Sequence, residues 1–302
     1  MQTHPDRVKT GTAVVTGARG IGYEVGRGLA RAGFHVVFGV RNPELGEKAV
    51  RALCTDIPQA EVTHQRLDLA DLSSVAEFGM GMRSRHETLE VLVNNAGIVM
   101  PPNRETTADG FELHFGTNHL GHFALVSALL PLLKAADKPR VVVVGSLAHR
   151  RAKIDFDDLQ SERNYQPFKA YGQSKLANLL FMAELQRRSD AGGWTLTAAG
   201  AHPGFARTEA ILRSDDGLAK RVFTRAMSGL IPTAASAARP IVFAGLSPEV
   251  SPAGYYGPSG PGEIAGRAGP AKLSALALNP ELSARLWRLS EKLTGASFAA
   301  EG

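Results

Sequence analysis

The stretch TAVVTGARGIGYEVGRGLARAG, Thr12 to Gly33, decides how the chain folds. Its first five residues are apolar or β-branched and suit a buried strand, while the residues after Gly20 repeat their apolar positions at helical spacing. Between the two stand Gly17, Gly20 and Gly22, with Arg19 and Ile21 interleaved. Glycines at a strand-to-helix turn let the backbone approach a pyrophosphate, whose charge is met by the amides of the helix N-terminus. Glycines alone would say little. Their place between the first strand and the first helix is the context the mechanism needs.

Working outward, the same rhythm continues. HVVFGV, VTHQRLDL, LEVLVNNAG, RVVVVGS and TLTAAGAHPG recur with helix-length segments between them. Strands that read as continuous apolar runs belong to parallel sheets covered on both faces. The expected fold class is therefore α/β, a Rossmann-type doubly wound parallel sheet with helices on both faces and its core over about residues 10–200. One short last strand is expected at Gly254–Gly257, inside a Gly- and Pro-rich region of loops. No repeat, low-complexity tail or linker divides the chain, so residues 1–302 form a single domain.

Composition narrows the function. With 302 residues and 44% apolar content the chain can bury a full core. Net charge is only +5, and Lys and Arg are spread along the chain, which argues against nucleic acid as a partner. The single cysteine, Cys54, excludes an internal disulfide and any multi-cysteine metal site. His119, His122, His149 and His202 stand on separate segments without a carboxylate at ligand spacing, so no metal is expected. No window approaches the roughly 18 uninterrupted apolar residues of a membrane span. The expectation is a cytoplasmic protein with no membrane partner.

The second strand ends FGVRN, which places Arg41 where an NAD-preferring site would carry Asp or Glu for the ribose 2′-hydroxyl. Arg41 can receive a 2′-phosphate bidentately and Arg19 can reach the same group, so the expected cofactor is NADP(H). The alternative for Arg41 is a solvated residue ahead of the helix opened by Asn42-Pro43. Asp68, followed by Leu69, either faces the adenine or begins the turn into the next helix.

One further stretch, AYGQSKLANLL from Ala170 to Leu180, sets a phenol and an ammonium four residues apart. Residues at i and i+4 share a helix face. A buried tyrosine with a lysine snorkelling past it is the bland reading. The catalytic reading is that the cation favours phenolate and lowers the Tyr171 pKa from its usual value near 10, making Tyr171 a candidate general acid/base. Ser146 stands just past a buried strand, where a hydroxyl can donate a hydrogen bond to a neighbouring oxygen.

With TG..GIG from Thr16, NNAG at Asn94–Gly97, TNHLGHF from Thr117, VVVVGSLAH ending in His149, YGQSK from Tyr171 and HPGFARTE from His202, the chain resembles the short-chain dehydrogenase/reductase family over about residues 10–300. The arginine after strand 2, the SLAH segment, the 25-residue step from Ser146 to Tyr171 and YGQSKLANLLF look most like its retinol dehydrogenase-like branch and bacterial relatives. The resemblance implies a catalytic tetrad of Asn118, Ser146, Tyr171 and Lys175, with Lys175 also holding the nicotinamide ribose and Asn118 anchoring a water that links Lys175 to solvent. It implies a pyrophosphate turn at Gly17, Arg19, Gly20, Ile21 and Gly22, and a structural motif at Asn95, Ala96 and Gly97. Pro203, Gly204 and Thr208 would border the nicotinamide, and about residues 205–231 match in position a C-terminal substrate lid. One departure stands out: the family pattern T-G-x-x-x-G-x-G has three residues between its first two glycines, whereas Thr16-Gly17-Ala18-Arg19-Gly20-Ile21-Gly22 has two.

The function so implied is NADP(H)-dependent hydride transfer between nicotinamide and a carbonyl or alcohol, with a small, lipophilic ketone or aldehyde as partner. A non-catalytic NADP(H)-binding sensor or scaffold is the alternative that the shortened turn favours. A protochlorophyllide-type C=C reductase would need cysteine chemistry at the site, and Cys54 lies in the helix after strand 2. A homodimer through the helices carrying Asn118 and Tyr171 is one expectation for assembly. The insert RRAKIDFDDLQSERNYQPF, Arg150–Phe168, could cover that face and leave a monomer.

Overall fold

The computed structural model describes residues 11–204 and 232–298. The expected lid at 205–231, with Thr208 in it, lies outside them. Strands β1 (Thr12–Thr16), β2 (His35–Val40), β3 (Val62–Arg66), β4 (Val91–Asn94), β5 (Arg140–Val144), β6 (Thr197–Ala201), β7 (Tyr255–Pro258) and β8 (Ala268–Pro270) form one sheet in the order β3-β2-β1-β4-β5-β6-β7-β8. All pairings are parallel except β7 with β8. The doubly wound α/β expectation holds.

Burial explains the apolar runs. In β5, Val141 and Val143 join one core cluster, while Val142 and Val144 join another on the opposite face. The first cluster lies under α3 (Leu72–Arg83), α4 (Gly121–Ala135), α5 (Pro167–Ala191) and α7 (Pro280–Thr294); the second lies under α1 (Ile21–Arg31), α2 (Pro43–Asp56) and α6 (Ala234–Leu246). A strand covered twice has no polar alternation to show, which is why RVVVV reads as it does.

Helix ends follow local chemistry. Asn42 accepts the Glu44 N–H at 2.9 Å with Pro43 opening α2, and Asp71 accepts the amides of Ser73 and Ser74 to cap α3. Asn279 caps α7 at the Leu282 amide ahead of Pro280, and Gly295 at φ +67° ends it.

Two expectations change. The Gly254–Gly257 strand is β7, but an unforeseen β8 pairs with it antiparallel, Gly257 facing Gly269. Its residues AGP carry no apolar period, so backbone bonds alone define it. The insert does cover α5, but only its first turns: the Asp155 N–H donates to Gln173 Oε1 at 2.8 Å, and Gln173 Nε2 donates to the Leu159 carbonyl at 3.1 Å. Further along, α7 packs on α5. Trp287 packs edge-on to Phe123 at 4.9 Å and stacks on Phe181 at 5.7 Å, and Phe298 closes the group 4.4 Å from Trp287.

Candidate active site

The strand order reverses between β1 and β4, so the carboxyl ends of these neighbours open a crevice where doubly wound sheets bind ligands. At its floor Gly17 donates its N–H to the Gly39 carbonyl at 2.8 Å. The two-residue step to Gly20 is absorbed by unusual dihedrals, with Gly17 at φ +84° and Gly20 at φ +52°, ψ −118°. Only glycine adopts both without strain. A Cβ on Gly22 would collide with the Gly17 carbonyl and with Asn95 Nδ2, so the turn folds tightly onto the NNAG segment. A Cβ on Gly20, in contrast, would meet nothing within 4 Å, and α1 begins at Ile21 without a side-chain cap. Open space before uncapped amides fits a pyrophosphate despite the shortened turn.

Thr16 ties this turn to β4. Its Oγ1 accepts the amides of Asn95 and Ala96, both at 2.9 Å, and Asn95 Nδ2 donates to the Thr16 carbonyl at 2.9 Å. At the end of β2, Arg41 is exposed and makes no ion pair among the described residues. Arg19 is exposed on the turn itself. Asp68 Oδ1 accepts the Ala70 N–H at 3.0 Å at the start of the turn into α3. The Leu69 side chain is buried in the core, leaving only its backbone to border the crevice.

Across the crevice a π-helical turn, Phe115–Leu120, leads into α4 and carries Asn118, which is fully buried. Its amide clasps the chain after NNAG: Oδ1 accepts the Ile98 N–H at 2.7 Å, while Nδ2 donates to the Ile98 carbonyl at 3.1 Å and to Ser174 Oγ at 3.0 Å. Gly97 passes so close that a Cβ would stand 3.0 Å from Asn118 Oδ1 and 3.6 Å from Lys175 Nζ. Ser146 follows β5 and caps the 3-10 turn Leu147–Arg151, accepting the Ala148 N–H at 3.2 Å. Its hydroxyl also acts on the Tyr171 phenol, favouring the phenolate. Tyr171 and Lys175 share the inward face of α5; Lys175 is 5% exposed, and its Nζ donates to the Val144 carbonyl at 3.1 Å.

One electrostatic expectation is overturned. The Tyr171 phenol is raised above its usual value because burial disfavours phenolate, with the Ser146 hydroxyl opposing. Lys175 does not reverse this. Its Nζ sits 5.8 Å from the Tyr171 ring centre, turned to Val144, and burial pulls its own pKa down to about 8.

The HPG segment follows β6. Gly204, at φ +72°, donates its N–H to His202 Nδ1 at 3.1 Å, and a Cβ there would strike the Ile264 carbonyl. His202 Nε2 pairs with Glu263 at 2.9 Å, and Glu263 also pairs with Arg150, so Pro203–Gly204 is pinned to the turn after Ser146. His119 meets Ser290 and His149 meets the Ser146 carbonyl; among the described residues no three possible metal ligands converge. Two participants escaped the sequence reading, the Ile98 backbone and Ser174. The sequence offered one hint, since Ser174 sits inside YGQSK.

A glycine turn at the switch point of a parallel sheet, facing a buried Asn and Lys with a half-buried Ser and Tyr, defines a nicotinamide-dependent oxidoreductase of Rossmann type. The chain belongs to the short-chain dehydrogenase/reductase family, in its retinol dehydrogenase-like branch: the model of the short chain dehydrogenase family matches residues 11–217. Human retinol dehydrogenase 12 is 38% identical over 283 residues, 93% of this chain and 85% of that protein. The polyprenol dehydrogenase of Danio rerio is 36% identical over 294 residues, 94% and 86% of the two chains. The crystal structure of an uncharacterized protein from Mycobacterium paratuberculosis superposes with a TM-score of 0.79 at 40% identity, covering 95% of this chain and 94% of that one. Among the described residues no helix is long and apolar enough to cross a membrane.

Proposed function

We propose that the protein is an NADP(H)-dependent enzyme interconverting a lipophilic ketone or aldehyde and its alcohol. The observation that carries this is the convergence of Ser146, Tyr171 and Lys175 on one end of the sheet, opposite an exposed Arg41 at the end of β2 that makes no ion pair among the described residues. Bound nicotinamide would supply or accept the hydride. Gly17, Gly20 and Gly22 would hold the pyrophosphate, Arg41 with Arg19 the 2′-phosphate, and Asp68 the adenine edge. Asn95, Ala96, Gly97, Pro203, Gly204 and Thr208 would border the rest.

Ser146 Oγ–H donates to the substrate oxygen and Tyr171 delivers the proton that the alkoxide needs. A buried phenol with a raised pKa is protonated at neutral pH, which suits it as the acid of carbonyl reduction. Lys175 keeps N–H groups beyond its bond to Val144 for the ribose hydroxyls. Because the Asn118 amide is spent on Ile98 and Ser174, a water linking Lys175 to solvent would rest on the Asn118 carbonyl. Apolar Met100, Phe168 and Ile264 are exposed on the three segments flanking the site and suit a lipophilic substrate. Retinol and polyprenol dehydrogenases are named for such alcohols.

The test is a fluorescence titration with NADPH and NADH, followed by a screen of carbonyl substrates. Arg41→Ala should weaken NADPH by about 10- to 100-fold, the loss of a charge-assisted contact, and leave NADH nearly unchanged. Equal weakening of both would remove the 2′-phosphate role. Binding of neither by the wild type would overturn the cofactor assignment.

A further inference from the structure

His122 is 2% exposed, one turn past Asn118 at the start of α4, and the chemistry described so far does not use it. Each of its bonds has a forced direction. Nδ1 lies 2.9 Å from the Asn118 carbonyl, which can only accept, so Nδ1 carries the hydrogen. The neutral ring then presents Nε2 as an acceptor, 3.0 Å from Thr16 Oγ1. The Thr16 hydroxyl, already accepting the amides of Asn95 and Ala96, donates to that nitrogen, with the Val93 carbonyl a longer alternative at 3.4 Å. The ring is neutral at physiological pH because burial holds its pKa down near 4. A protonated ring could not accept from Thr16.

The result is one directed chain, from the NNAG amides through Thr16 and His122 to the Asn118 backbone. It joins the end of β1, where the glycine turn begins, to the π turn that presents Asn118. The Asn118 side chain is held independently, by Ile98 and Ser174. Two sets of bonds thus fix this residue, and only the backbone set passes through the dinucleotide side of the crevice.

We propose that His122 is a positioning residue for hydride transfer, aligning the Asn118 backbone with the dinucleotide-binding turn through Thr16. The proposal rests on the oxidoreductase reading above. Misplacement of an aligned group by about an ångström is enough to reduce turnover on the order of a hundredfold. His122→Phe fills the same space without either bond. Asn, whose Nδ2 stands near the place of Nδ1, keeps the donor to Asn118 and loses Thr16.

The experiment begins with wild-type turnover of NADPH and a carbonyl substrate; an inert wild type would overturn the oxidoreductase reading itself, and this inference with it. Given turnover, His122→Phe should lower kcat about 10- to 100-fold while NADPH Kd moves less than about threefold, and His122→Asn, which lacks the bond to Thr16, should recover little of the loss, full recovery breaking the link to Thr16. On a Thr16→Val background, which lacks the hydroxyl His122 accepts from, His122→Phe should cost less than about twofold more, because its effect travels through Thr16. Losses that multiply, or a variant with lower Tm and full kcat, would show a purely structural histidine and sink the proposal. Should His122→Phe fail to fold, the imidazole ¹⁵N shifts of the wild type decide: a neutral Nδ1–H ring at pH 7 supports the chain, and an Nε2–H ring breaks it.

Discussion

The two walls of the crevice treat polar groups in opposite ways. On the β1–β2 side Gly20 and Arg41 are exposed, α1 starts without a cap, and a cation stands free of partners among the described residues. On the α4–α5 side Asn118, Ser174, Lys175 and His122 are all at most 5% exposed, and each has hydrogen-bond partners inside the protein. The open wall is completed by the charge it binds, whereas the sealed wall is assembled in advance and carries the desolvation penalty of its polar groups. Changes on the open wall should therefore alter affinity, and changes on the sealed wall turnover and stability.

Tyr171→Phe tests that division most severely. Loss of the general acid should reduce kcat on the order of a thousandfold or more, with NADPH Kd within about twofold of wild type. A comparable loss of affinity would mean that the two walls are not separable. An unchanged reaction rate would favour a sensor over an enzyme.

Ser146→Ala probes the same wall through pH. Alcohol oxidation needs phenolate, and the Tyr171 pKa lies above its usual value, so log kcat for oxidation should climb with pH through 7 to 9 while carbonyl reduction stays flat. The Ser146 hydroxyl opposes that rise in pKa. Removing it should displace the oxidation profile to higher pH, with a rate loss of about 10²-fold or more. A profile that keeps its position would show that Ser146 does not act on the phenol.

Most of the open wall was legible in the sequence, because glycines at a strand–helix turn and a charged residue at a strand end are local signals. The sheet was legible too, since Val141–Val144 can only be buried on both faces. The sealed wall was legible in membership and not in wiring. Asn118, Ser146, Tyr171 and Lys175 stood at recognisable spacings, but their partners include the backbones of Ile98 and Val144, which carry no side-chain signature. The direction of the Tyr171 shift was misread for the same reason: helical spacing places Lys175 on the right face, while only packing turns its ammonium to Val144 and excludes water from the phenol. Nor did any periodicity announce β8, held to β7 by backbone bonds, or the Trp287 cluster that folds α7 over α5.

The smallest effect expected is also the one that runs against intuition. Burial lowers the Lys175 pKa to about 8, so below that pH the folded protein holds a charged ammonium it would rather release. Lys175→Met should abolish turnover, yet raise stability at pH 7 by about 1–3 kcal/mol, a gain in Tm of roughly 2–6 °C. The sign follows from proton binding. Between about pH 8 and the ordinary lysine value near 10.5, the unfolded chain keeps a proton that the native state has lost, so wild-type stability rises with pH across that window. The advantage of Lys175→Met should therefore be full at pH 7 and shrink towards pH 10. A variant less stable than wild type at pH 7, or a difference that does not change with pH, would show that the bond to Val144 outweighs the desolvation, and the sealed wall would then carry no stability penalty at its lysine.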